Sequence, residues 1–245
     1  MLARAGLASR REAEEWIRAG RITVNGEIAT LGVRAGPTDD VRLDGRVVRQ
    51  RAASASESVF ICHRSPGENL RHPADESADG TAHAGPGTAL LDRLPRKAGR
   101  RFIAVSPMPR IDGGLELVTS DGELAARLQR GVRHLTSEFS VRVKGELSEQ
   151  QIATLLQGEL DRGDALAVEH CEPAGGEAAN RWYSLTVRGA SGKEVRQLFE
   201  RQGALVSRVL RTKLGPLALE RTLARGRFRA LAPEELQGLI QAPGN

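Results

Sequence analysis

The residue best suited to chemistry in this sequence is Asp112, which lies on a loop between two apolar segments. Residues 102–105 and 115–118 are short apolar runs of the kind that form buried strands. The loop between them carries two prolines and two glycines. Proline fixes the backbone angle φ and glycine permits positive φ, so these residues specify the path of the chain. A carboxylate on such a loop is a candidate for catalysis. Taken alone, the stretch favours a simpler role in which Asp112 accepts hydrogen bonds from turn amides.

Composition indicates a soluble globular protein with a polyanionic partner. The 245 residues suffice for one large or two modest domains, and 40% hydrophobic with 27% charged residues is ordinary for such a chain. The net charge is +5, and arginine forks match the geometry of phosphate. Two cysteines are too few for a disulfide framework, and no apolar run is long enough to span a membrane. We therefore predict a cytoplasmic protein without a membrane partner.

Two Cys-His neighbours raise the question of a metal site. Cys62-His63 and His170-Cys171 together could supply four ligands. Because neighbouring residues of a strand point to opposite faces, neither pair can chelate one ion without a special turn. The sequence therefore predicts no metal.

Residues 1–48 have the pattern of a small separate module. Ser9 begins a capping box at the start of a helix that ends at Gly20. Asn25-Gly26 and Asp44-Gly45 are turn pairs of the type that tolerates positive φ, so each predicts a β-hairpin. The helix and hairpins are surrounded by basic residues: Arg4, Arg10, Arg11, Arg18, Arg21 and Arg34.

The order of these elements resembles a known RNA-binding module. The stretch LARAGLASRREAEEWIRAGRITVNGEIATLGVRAGPTDDVRLDG is similar to an S4 domain, and most similar to those that precede bacterial rRNA pseudouridine synthases of the RsuA/RluB type. The resemblance implies that five arginines contact RNA phosphates, which would give affinity rather than sequence specificity. They are Arg4, Arg10, Arg11, Arg18 and Arg21.

The rest of the chain extends the resemblance to the catalytic domain. Residues 49–58 are small and polar and read as a linker, and residues 59–245 resemble the synthase domain, an α+β fold with a mixed, mainly antiparallel sheet. The run PRID-G-GLELVTSDG is similar to the family signature G-R-L-D followed by G-L-L-L-L-T-x-D-G. The resemblance makes Asp112 the catalytic aspartate and Arg110 the signature arginine.

A second element, GKEVR, is similar to the family's G-R-x-R-Q-V-R-R. It implies that Arg196 pairs with Asp112 and keeps it ionised, and that Lys193 is a nearby cation for RNA. Phe139 takes the position where most members have a tyrosine that stacks on the target base and assists proton removal at C5. The phenyl ring can stack but cannot transfer a proton.

Two hypotheses stay open on these residues. The first is a monomeric pseudouridine synthase that acts on ribosomal RNA with no metal or cofactor, supported by the retained Asp112 and Arg196. The alternative is a catalytically impaired homologue that binds structured RNA, favoured by Phe139 and by a shortened loop after Asp112. A more distant alternative is an S4 adaptor to ribosomes whose second domain binds protein.

Overall fold

A computed structural model describes residues 2, 8, 10–36, 38–48, 59–71, 89–95, 102–161, 163–176 and 179–242. The first module contains one helix and four short strands: α1 Arg10–Arg18, β1 Ile22–Val24, β2 Glu27–Ile28, β3 Val41–Leu43 and β4 Arg46–Val47. The strands form one sheet in the order β2-β1-β3-β4. Both predicted hairpins are confirmed, since φ is positive at all four turn residues: Asn25, Gly26, Asp44 and Gly45. The predicted capping box at Ser9 and the linker 49–58 lie outside the described residues.

The second part of the chain alternates strands and helices. Its strands are β5 Val59–Arg64, β6 Ile103–Ala104, β7 Gly113–Thr119, β8 Thr136–Lys144, β9 Ala167–Pro173, β10 Asn180–Arg188, β11 Leu205–Leu214, β12 Leu217–Ala218 and β13 Phe228–Ala230. Its α-helices are α2 Gly122–Gly131, α3 Glu149–Leu155, α4 Gly192–Glu200 and α5 Pro233–Gln241, with 3-10 turns at Leu90–Arg93 and Val132–His134. Among the described residues, no helix is long and apolar enough to cross a membrane.

These strands form one mixed sheet, as the α+β prediction requires. The order is β13-β5-β7-β11-β8-β10-β9, with β6 on β7 and β12 on β11. All pairings are antiparallel except that of β7 with β11, which joins only two residue pairs, Gly113 with Leu210 and Gly114 with Arg211. The short parallel contact divides the sheet into two halves, and Asp112 lies at their junction.

Each half of the sheet has its own hydrophobic core. Alternate residues of β8, including Phe139, Val141 and Val143, are fully buried and pack with apolar residues of α3, α4, β10 and β11. On the other half, β5 and β7 pack with α2 and α5. The period-2 pattern of β8 therefore buries one face and leaves the other face polar.

Local capping fixes where the helices begin. Helix α2 begins after Asp121, whose carboxylate accepts the amide protons of Glu123 and Leu124. Helix α4 begins at a capping box in which Ser191 and Glu194 bond reciprocally to each other's backbone amides. With this start, Val195, Leu198 and Phe199 are buried, and Arg196 lies beside the buried stripe.

Candidate active site

Asp112 and Arg196 form an ion pair at the junction of the two half-sheets. Nη2 of Arg196 donates to Oδ1 of Asp112 at 2.5 Å, and Nε donates to Oδ2 at 3.3 Å. The backbone N–H of Val209 donates to Oδ1 at 2.8 Å. Asp112 has no exposed surface, whereas 15% of the Arg196 side chain remains exposed. The guanidinium and the amide thus give the buried carboxylate a counter-charge and three hydrogen bonds, and among the described residues Oδ2 has only the longer of the two guanidinium contacts.

Two glycines allow β7 to approach its neighbours next to Asp112. Gly114 has φ of +94°, and a Cβ there would collide with the backbone of Arg211. A Cβ on Gly113 would collide with the backbone oxygen of Arg64. The Gly-Gly pair therefore brings the start of β7 close to both β5 and β11, which places Asp112 against the Val209 amide.

A second buried ion cluster, which the sequence interpretation did not identify, lies directly behind the Asp112 loop. Glu116 on β7 has no exposed surface, and Oε1 accepts a hydrogen bond from Nε of Arg64 at 2.8 Å. Its Oε2 is 3.5 Å from Nη2 of Arg211, and both arginines are 1% exposed. Burial raises the pKa of Glu116 above its usual value, and the Arg211 and Arg64 guanidiniums oppose that shift.

This cluster binds the backbone of the loop that leads into Asp112. Arg64 Nη2 donates to the carbonyl oxygens of Met108 and Pro109 at 2.6 and 2.8 Å. Glu116 accepts the Met108 amide at 3.0 Å, and Arg211 Nη2 donates to the Ser106 carbonyl at 2.7 Å. The charged side chains therefore form hydrogen bonds with buried backbone groups of the loop, which would otherwise need partners in a strand or helix.

The sequence carried one signal for this cluster. Glu116 interrupts an otherwise apolar strand, and a buried strand tolerates an acid only when the acid has charged partners. Nothing in the sequence, however, identified Arg64 and Arg211 as those partners, because they lie on different strands far apart in the chain.

Phe139 lies in the core rather than on an open surface. It has no exposed surface and belongs to the same core cluster as Met108 from the Asp112 loop. Because the ring is fully buried, stacking on a base would require the surrounding core to open, and the role stays a prediction. Tyr183 is 1% exposed and its hydroxyl accepts the Leu147 amide proton, so it is a packed strand residue.

Two cationic residues and one apolar residue are exposed close to the ion pair in sequence. Arg110 and Lys193 are both exposed, each within three residues of a member of the pair, as expected for groups that contact RNA. Ile111, which the sequence interpretation passed over, precedes Asp112 and is 56% exposed. An exposed apolar side chain beside a buried carboxylate offers a surface for a nucleobase.

The predicted RNA contacts of the first module are partly described. Arg11 and Arg18 are exposed, and Arg18 lies 3.5 Å from Glu14 on the same helix. Arg21 forms two hydrogen bonds with Asp44 and packs over the ring of Trp16 at 5.4 Å. Arg4 and the side chain of Arg10 lie outside the described residues.

Comparison with known proteins agrees with this architecture. The S4 domain family matches residues 1–41. A crystal structure of a pseudouridylate synthase superposes with a TM-score of 0.60 at 20% identity, over 97% of this chain and 96% of that one. The protein thus has an S4 module and a fold of the pseudouridine synthase class.

Proteins that are similar in sequence define the family more narrowly than the fold does. The chain is 37% identical over 246 residues to ribosomal large subunit pseudouridine synthase B of Pseudomonas aeruginosa, over all of this chain but only 61% of that protein's length. It is 40% identical over 235 residues to the protein of the same name from Vibrio cholerae, over 94% of this chain and 70% of that one. The chain belongs to the family of ribosomal large subunit pseudouridine synthase B.

Proposed function

We propose that this protein isomerises uridine to pseudouridine in large-subunit ribosomal RNA, with Asp112 as the nucleophile. The observation that carries the proposal is the ion pair of the fully buried Asp112 with Arg196, beside the only parallel contact of the described sheet. The names of the relatives support ribosomal RNA as the substrate. The reaction needs no group beyond the protein and the RNA.

The geometry supports a defined role for each member of the pair. The Asp112 carboxylate attacks C1′ of the nucleoside as the N-glycosidic bond breaks, the base turns in the site, and C5 of the base then bonds to C1′ as the Asp112 carboxylate is released. Arg196 supplies the buried carboxylate with its counter-charge, and its hydrogen bond to the Val206 carbonyl at 2.7 Å fixes the guanidinium between α4 and β11.

The target base must leave its stack to reach Asp112. Ile111 is exposed beside the carboxylate and offers apolar contact to the extruded base, while Arg110 and Lys193 supply positive charge for the flanking phosphates. Phe139 belongs to the core cluster that includes Met108 of the Asp112 loop, and its stacking on the base stays a prediction. Since a phenyl ring accepts no proton, water or another side chain takes the proton from C5, and N1 of the turned base gains a proton.

The test uses ribosomal RNA from cells that lack the protein. Incubation with the wild-type chain should produce a new pseudouridine, detected by chemical mapping. Asp112→Asn should abolish the product and leave RNA binding intact. Asp161→Asn, which removes an exposed carboxylate paired with Arg201, is the matched control and should retain activity. Intact binding without a new pseudouridine for the wild type would reject the enzyme and support an RNA-binding homologue without activity.

A further inference from the structure

One face of the sheet carries a row of cationic and aromatic side chains. Phe139, Val141 and Val143 of β8 point into the core, so the residues between them point away from it. On that opposite face, Arg142 pairs in register with Trp182 of β10 on one side and with Arg208 of β11 on the other. We call these three residues, which are all half-buried, the basic row.

The basic row places two like charges side by side. Arg142 and Arg208 are direct cross-strand neighbours, and no carboxylate in the described part of the chain forms an ion pair with either one. Like charges in this position destabilise a sheet. Lys144, exposed and two residues further along the same face, adds to the positive charge.

Another cation on the same face has an acidic partner within the chain. Lys213 of β11 lies in register with Glu138 of β8, and Nζ is 2.9 Å from Oε1. The next charged pair along these two strands is therefore neutralised internally, whereas the two arginines are not. An external anion between them would remove the repulsion.

The basic row borders the candidate active site. Arg208 immediately precedes Val209, whose amide donates to Asp112. A polynucleotide that crosses this face with its target nucleoside in the site would place neighbouring phosphates next to the basic row. Guanidinium groups bind phosphate through paired hydrogen bonds, and an indole ring offers a platform for an unpaired base.

We propose that the basic row is an RNA-binding surface: a phosphate lies between Arg142 and Arg208, and a nucleotide flanking the target stacks on Trp182. The proposal rests on the proposed function, because it takes the same RNA as the occupant. An acidic protein is the other occupant that the charge would accept, and the experiment distinguishes it.

The experiment measures the affinity of the full chain for a fluorescent in vitro transcript of large-subunit ribosomal RNA at several KCl concentrations. Replacement of both Arg142 and Arg208 by Gln should weaken binding about tenfold at low salt and reduce the slope of log K against log salt by about 0.7–0.9, which corresponds to the one phosphate placed between them. The matched control replaces Arg127 and Arg130, which are exposed on α2, by Gln, and should change the slope much less. Trp182→Leu should weaken binding about tenfold with little change of slope.

Thermal unfolding separates a loss of binding from a loss of folding. Because the double Gln variant removes a repulsion, its melting temperature without RNA should equal or exceed that of the wild type. Wild-type affinity and slope in that variant would overturn the proposal and direct attention to an acidic protein partner.

Pseudouridine mapping on the same transcript tests the proposed activity separately from the proposed RNA-binding surface. If the wild type modifies RNA and the double variant has an unchanged KM and affinity, only the basic row fails. If the wild type makes no product but loses RNA affinity on the double substitution, the proposed activity fails and the binding surface remains.

Discussion

The sharpest prediction concerns Arg196→Met, which removes the guanidinium but keeps an apolar side chain of similar length. The substitution deletes both Asp112 contacts, at 2.5 and 3.3 Å, and leaves a carboxylate with no exposed surface and one remaining donor, the Val209 amide. Breaking a buried ion pair from one side costs about 3–5 kcal/mol, mostly because an uncompensated charge stays buried. For a chain of this size the loss lowers the melting temperature by roughly 6–20 °C.

The assay is a double-mutant cycle followed by thermal and urea unfolding. Asp112→Asn in the Arg196→Met background removes the stranded charge, so the double variant should be more stable than Arg196→Met alone. The coupling free energy between the two positions should be at least about 2 kcal/mol. Arg196→Met, Asp112→Asn and the double variant should all be inactive, so the electrostatic effect is measured through stability and not through activity.

Two results would refute this reasoning. A loss below about 1 kcal/mol for Arg196→Met would mean that the charge of Asp112 does not depend on the guanidinium. Failure of Asp112→Asn to restore stability in that background would mean that Arg196 acts through its contact with the Val206 carbonyl instead.

Three further predictions concern the groups around the site. Gly114→Ala should lower both stability and activity sharply, because its Cβ meets the backbone of the next strand; Gly203→Ala, also at positive φ but with open space around it, is the control and should cost only about 1 kcal/mol in unfolding experiments. Glu116→Gln leaves two buried guanidiniums without a counter-charge and should cost about 3–5 kcal/mol in urea unfolding, whereas a loss below 1 kcal/mol would rule out a structural role for the cluster. Arg229 holds the pKa of Glu235 below its usual 4.5, so the pair stabilises the fold above that pH and the contribution disappears as the pH falls through the folded value. Glu235→Gln should therefore be about 1 kcal/mol less stable than the wild type at neutral pH, and the difference should disappear as the pH falls through the folded pKa of Glu235; a difference that persists in acid would contradict the assignment.

Local sequence chemistry determined most of the elements of this protein. Asn25-Gly26 and Asp44-Gly45 specified two hairpins, and Asp121, Ser148 and Ser191 begin helices, because caps and turns satisfy backbone groups within a few residues. The resemblance to pseudouridine synthases also indicated that Asp112 and Arg196 would meet, although 84 residues separate them.

Only the tertiary structure determined how the site is supported. Glu116 meets Arg64 and Arg211 because β5, β7 and β11 are neighbours in the sheet, and no local pattern encodes that order. The burial of Phe139 and the apposition of Arg142 with Arg208 likewise depend on strand register, which is set by packing across the sheet. The sequence alone therefore identified the two members of the buried ion pair and the local elements, whereas long-range strand pairing determined which charges share the interior and which face the solvent.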